Sequence, residues 1–138
     1  MPAKDIFHHK VKLGLEKEGW TITHDPLPIA AGDVGMSIDL GAEKLIAAEK
    51  EGEKIAVEIK SFLGKSAIYD FHLALGLFIN YRLALKEKGS PRVLYLAIPL
   101  ITYRDFFSRQ FIQTAIEYNQ INLLVYNPDK EVIVEWKK

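Results

Sequence analysis

Ile55-Ala56-Val57-Glu58-Ile59-Lys60 decides the fold of this chain, and Met36-Ser37-Ile38-Asp39-Leu40 upstream supplies its partner. The run is an apolar strand into which two ionic side chains, Glu58 and Lys60, are set two residues apart. Strand side chains alternate between faces, so both point to one side, roughly 6.6 Å apart along the strand. Charges seldom sit in an apolar run unless they are paired or hold a ligand. On spacing alone, the commoner arrangement is a Glu58–Lys60 salt bridge on a solvated sheet face. If Asp39 lies on a neighbouring strand, two carboxylates and an amine meet at one point instead. That is enough to bind a hard divalent cation and activate water.

Mg²⁺ or Mn²⁺ asks for oxygen ligands in near-octahedral geometry and keeps several waters. Asp39 and Glu58 would supply two carboxylate oxygens, and the main-chain carbonyl of Ile59 a third. Lys60, on the face of Glu58, would orient or deprotonate the attacking water, or neutralise charge on a phosphate. An activated water and a charge clamp are what phosphodiester hydrolysis needs.

Outward from this strand, the chain reads as a single domain over residues 1–138, long enough to bury a core without staples. With 18 basic and 18 acidic residues there is no global field drawing it to nucleic acid, so any DNA contact must come from a local basic surface. The absence of cysteine excludes disulfides, thiol nucleophiles and thiolate zinc sites. No apolar signal core opens the sequence, and the longest apolar run, Val93 to Ile101, is too short to span a membrane and contains Pro99. A cytoplasmic, non-membrane protein is expected.

The periodicity predicts a helix over Lys4 to Glu18 that ends at Gly19, a short strand over Trp20 to Thr23, and a loop over His24 to Asp33 because of Pro26, Pro28 and Gly32. Met36 to Leu40 and Lys44 to Glu49 read as strands separated at Gly41-Ala42, and Lys54 to Phe62 as the next. Ser66 to Lys88 is the longest helical pattern, stopped by Gly89-Ser90-Pro91. Arg92 to Ile98 reads as a strand buried on both faces, Thr102 to Asn119 as one helix, and Ile121 to Trp136 as a hairpin turning at Asn127-Pro128-Asp129-Lys130. A helix between two buried strands implies a right-handed crossover. The expected class is α/β, a mixed sheet with helices on its faces.

Asp39, then Glu58-Ile59-Lys60, then a helix from Ser66 resembles the PD-(D/E)xK motif of the restriction-endonuclease-like superfamily. The element order matches that superfamily's αβββαβαβ core, with a terminal hairpin added. More closely, the whole chain resembles the XisH family, the fdxN element excision controlling factor proteins. The segments that carry this are Ala3-Lys4-Asp5, Gly19-Trp20-Thr21-Ile22-Thr23-His24-Asp25-Pro26, Ile38-Asp39-Leu40, Val57-Glu58-Ile59-Lys60-Ser61-Phe62, and Ala74-Leu75-Gly76 through Asn80-Tyr81-Arg82. The resemblance implies Asp39 and Glu58 as metal ligands, Lys60 as the catalytic lysine, and Mg²⁺ or Mn²⁺ as cofactor. Many superfamily members add a carboxylate from the first helix; Glu16 is the candidate here, with Glu18 behind it. Relatives often carry a polar residue on the second helix near the site, whereas Gly76-Leu77-Phe78 is apolar, and Ile38 stands where the motif has proline.

Other clusters carry less. His8 and His9 are adjacent, so on a helix they point about a hundred degrees apart, and they read as surface or packing residues. His24-Asp25 reads as turn chemistry before proline. Lys65, Arg82 and Arg104, with Lys86 and Arg109, would form a phosphate-binding surface if their helices flank the site. Two functions follow. One is a metal-dependent endodeoxyribonuclease acting on DNA in excision of an element. The other is a non-catalytic accessory protein that controls a site-specific recombinase with an XisI-like companion, a partner the resemblance implies. A homo-oligomer is compatible with either.

Overall fold

The computed structural model describes residues 4–44 and 52–138. The first helix, α1 (His8–Lys17), buries the stripe His8, Val11, Leu15 and stops where Gly19 takes a left-handed φ of 93°. Strand β1 (Thr21–His24) follows, and a cis Asp25–Pro26 bond leads into the hairpin β2 (Leu27–Ala31) and β3 (Val34–Ile38). This hairpin replaces the loop expected from the prolines. A two-stranded ribbon leaves alternate N–H groups free, which is where a proline is tolerated, and Pro28 points outward while Leu27 and Ile29 point into the core.

Strand β4 (Leu40–Lys44) runs straight through Gly41-Ala42, where a break was expected. Gly41 is required there for a different reason: a Cβ would lie 3.2 Å from the guanidinium of Arg92, which donates to the carbonyls of Ala42 and Ile55. The remainder of the expected Lys44–Glu49 strand lies outside the described residues. Next come β5 (Glu53–Ile59), α2 (Ala67–Glu87) capped by Ser66, whose hydroxyl accepts the Tyr69 N–H, and β6 (Val93–Pro99). The expected single helix over Thr102–Asn119 is two, α3 (Leu100–Asp105) and α4 (Gln110–Tyr118). Fully buried Phe107 forces the division, because it turns down to pack its ring against Phe62 and Phe71 at 5.4 and 5.8 Å. The chain closes with β7 (Leu123–Asn127) and β8 (Val132–Lys137), the expected hairpin.

The main sheet has the order β1-β4-β5-β6-β7-β8, parallel across β5-β6-β7 and antiparallel elsewhere. Alternation along the central strands divides the core. Ala56, Leu94, Leu96, Ile98, Leu123 and Val125 face α2, α4 and the β2–β3 hairpin, while Ile55, Val57, Ile59, Tyr95, Leu124 and Tyr126 face α1. The class is therefore mixed α/β with helices on both faces. β5 ends at Ile59 opposite Ala97, so the residues after it leave the sheet at the carboxyl-terminal edge of its parallel strands.

Truncating the side chain that divides α3 from α4 should be costly. Phe107→Ala is expected to lower the unfolding free energy by roughly 3–5 kcal/mol in urea denaturation.

Candidate functional site

The ladder between β4 and β5 closes at Leu40 opposite Val57, which leaves Asp39 level with Glu58 just beyond it. There the two strands exchange side-chain bonds in place of ladder bonds. The Asp39 N–H donates to Glu58 Oε1 at 3.3 Å, and the Ile59 N–H donates to Asp39 Oδ2 at 2.7 Å. A strand residue's N–H and C=O point to the same edge, so the Ile59 carbonyl is turned to the Asp39 side as well. On the opposite edge, Lys60 continues the pairing to β6 by donating its N–H to the Ala97 carbonyl at 3.0 Å.

Glu58 is only 6% exposed, which overturns the expectation of a salt bridge on a solvated face. Burial and the neighbouring Asp39 charge push its carboxyl up to about 8, against the opposing pull of Lys60. Asp39 is also raised by burial, although the Ile59 N–H, His8, Glu58 and Lys60 all favour its charge. Among the described residues, Lys60 forms no ion pair with either carboxylate and acts on both through space. The Tyr81 phenol on α2 rises to about 12 through burial and the charges of Glu58 and Asp39, so a neutral hydroxyl lies near the pair from the α2 side.

Two crowded carboxylates, Glu58 buried and Asp39 half-buried, invite a cation. The donors are hard oxygens: one from Asp39, one from Glu58, and the Ile59 carbonyl. Among the described residues no three His, Asp or Glu side chains gather closely enough to hold a metal by themselves. Two carboxylates completed by a carbonyl and water suit Mg²⁺ or Mn²⁺, which keep waters, and do not suit the all-protein cage of a structural zinc. The residues present thus fit the cation that the sequence reading implies.

A second polar cluster borders the pair. His8, 6% exposed on α1, bonds through Nε2 to Asp25 Oδ1 at 2.7 Å. Lys12 Nζ reaches Asp25 Oδ2 at 2.9 Å, and Lys4 Nζ lies 3.5 Å from Oδ1. Burial would raise the Asp25 carboxyl, but bonds from Lys12 and His8 outweigh it and hold it down to about 2. Asp5 accepts from the Phe7 and Ser61 N–H groups, tying the segment before α1 to the end of β5. The packing and turn roles expected of His8 and Asp25 are thus incomplete. The signal was present: His8, Val11 and Leu15 share a helical stripe with Lys12 beside them, which points His8 inward. Tyr81 supplies from α2 the polar group that Gly76-Leu77-Phe78 lacks.

Other expected residues scatter. Glu16 is exposed two turns along α1 from His8, and Glu18 accepts from Trp136 Nε1, so α1 brings no carboxylate to the pair. Arg82 is committed to the carbonyls of Asn119 and Gln120, both at 2.8 Å, closing the end of α4 instead of facing a phosphate. Lys65, in the loop before α2, and Arg104, on α3, are exposed.

The buried pair has a pH signature. Raised from the ordinary 4.5 to about 8, Glu58 binds its proton more tightly folded than unfolded. Stability in the metal-free protein is therefore expected to be greatest near pH 5 and to fall as pH rises through 8, by on the order of 3 kcal/mol. Glu58→Gln should flatten that slope in thermal melts taken across pH 5 to 8. A slope equally steep in the variant would reject Glu58 as its source.

With the geometry in view, comparison with known proteins is direct. The profile of the XisH protein family matches residues 1–134. The crystal structure of an XisH family protein from Nostoc punctiforme PCC 73102 superposes with a TM-score of 0.89 at 51% identity, over 97% of this chain and 100% of that one. The structure of a fdxN element excision controlling factor protein from Anabaena variabilis gives 0.87 at 49% identity, over 98% of this chain and 100% of that one. No protein with a curated description matches. The chain belongs to the XisH family.

Proposed function

We propose that this chain is a restriction-endonuclease-like domain that cuts DNA phosphodiesters with Mg²⁺ or Mn²⁺ during excision of a DNA element. The observation that carries the reading is the adjacent carboxylates of half-buried Asp39 and buried Glu58, tied by the Asp39 and Ile59 N–H groups at the end of β5 with Lys60 one residue beyond. Excision enters from the name of the Anabaena variabilis relative.

Asp39, Glu58 and the Ile59 carbonyl would hold the cation, which when bound polarises a phosphate and acidifies water. The chain's own residues do the rest. The Ile59 N–H fixes the Asp39 carboxylate, so one oxygen stays aimed into the gap between strands. Lys60 places positive charge beside that gap, where the departing or attacking oxygen accumulates negative charge. Tyr81, kept protonated, is a donor. Exposed Lys65 and Arg104 would contact the DNA backbone and position the strand without reading its sequence. The protein would act in the cytoplasm; no helix among the described residues is long and apolar enough to cross a membrane.

One observation favours the accessory reading, in which the protein works with an XisI-like companion. The outer face of α2 leaves Tyr69, Leu73 and Leu83 exposed by 61, 46 and 55%, an apolar surface suited to a partner. Stable co-purification with that companion, without metal-dependent cleavage, is the result this reading expects.

Nicking of supercoiled plasmid in Mn²⁺ tests the nuclease reading. Wild type is expected to nick, and Glu58→Ala and Lys60→Ala to lose at least about a hundredfold of the rate. Cleavage that survives unchanged in both variants would remove the assignment.

A further inference from the structure

His8 is used by neither reading, yet its environment is specific. The ionised Asp25 carboxylate can only accept hydrogen bonds, so the His8 Nε2 that meets it at 2.7 Å must carry a proton. In the neutral ring, Nδ1 is then a bare acceptor. That nitrogen is buried and has no hydrogen-bond partner among the described residues. Buried polar atoms are normally satisfied, and an exception calls for an unseen water or ligand. The neighbouring charged groups are of the wrong kind. Asp39 lies close enough for the ring to influence its carboxyl, and Asp5 stands three residues before His8; both are acceptors.

His8 is also held more firmly than packing requires. Asp25 fixes the tautomer, and Lys12 and Lys4 in turn brace Asp25. A carboxylate that orients an imidazole, with the second nitrogen left for a site, is the arrangement by which proteins tune a metal centre. His8 does not join Asp39 and Glu58 in a group able to bind a metal directly, so any part it plays toward a cation would run through a bridging water.

We propose, resting on the metal-site reading above, that His8 is a positioning residue: its Nδ1 accepts a hydrogen bond from a water held at the Asp39–Glu58 pair, and Asp25, bonded to Nε2, fixes the tautomer and the orientation of the ring. The first helix then contributes an imidazole where a carboxylate from Glu16 was expected.

Two amide substitutions separate this role from a structural one. Gln can reach the Nε2 position and keep the Asp25 bond while leaving the Nδ1 position empty; Asn places its amide near Nδ1 and abandons Asp25. Calorimetric titration of Mn²⁺ and of Mg²⁺ into the full-length protein is the readout, with circular dichroism confirming the fold of each variant. His8→Gln is expected to bind at least about tenfold more weakly than wild type, and His8→Asn to retain more of the affinity. Asp25→Asn, which leaves the His8 side chain intact, should also weaken binding. Should His8→Gln and Asp25→Asn both bind as wild type does, the positioning role is overturned and the metal site stands. If wild type itself binds neither ion, the metal-site reading and this inference fall together. Weaker binding in His8→Asn than in His8→Gln also overturns it, because that order marks the Asp25 bond as the feature that matters.

Discussion

The bond from the Ile59 N–H to the Asp39 carboxylate is the constraint on which the rest of this structure depends. It stands where the β4–β5 ladder would otherwise have continued, so a side chain takes the place of strand pairing there. Because it consumes only one Asp39 oxygen, the other is left facing Glu58, whose own oxygen is tied to the Asp39 N–H. Two carboxylates are thereby locked together by main-chain groups that cannot turn away. Side chains on a solvated surface would separate to relieve their repulsion; here the backbone forbids it.

Such a pair is a local conflict that the fold tolerates by packing heavily around it. α2 packs on one face of the sheet with Phe78 and Tyr81, and α1 on the other with Val11 and Leu15. Burial raises both carboxyls, so without a cation the pair favours holding a proton, and the energy stored in that arrangement is what a divalent ion would release. Polar residues retained in an apolar setting at a cost to stability mark a site where the sequence answers to chemistry rather than to folding.

Much of this was legible before any coordinates. Glu58 and Lys60 stood out because charges interrupt an apolar strand, and the helix after Ser66 followed from its long helical pattern and the Gly89-Ser90-Pro91 stop. Three features were not legible, each for a physical reason. The β2–β3 hairpin hid behind Pro28, since sequence alone does not show that a strand has only one partner. The division between α3 and α4 depends on Phe107 finding an aromatic cluster formed with distant Phe62 and Phe71, a tertiary preference that overrides local helical pattern. The His8–Asp25 pair joins residues 17 positions apart, and no spacing rule connects them. Arg82 shows the converse error: a cation that looks available on a helix is already committed to two carbonyls at the end of α4.

The central claim is that Asp39 and Glu58 converge on a divalent cation with the Ile59 carbonyl beside them. An anomalous difference map from crystals grown in Mn²⁺, at a pH near 8, tests it directly. The account predicts a single strong peak within coordination distance of one oxygen from each carboxylate and of the Ile59 carbonyl, with waters filling the remaining positions. A map with no peak there, and with the Asp39 and Glu58 carboxylates still bonded to the Ile59 and Asp39 N–H groups alone, would contradict it.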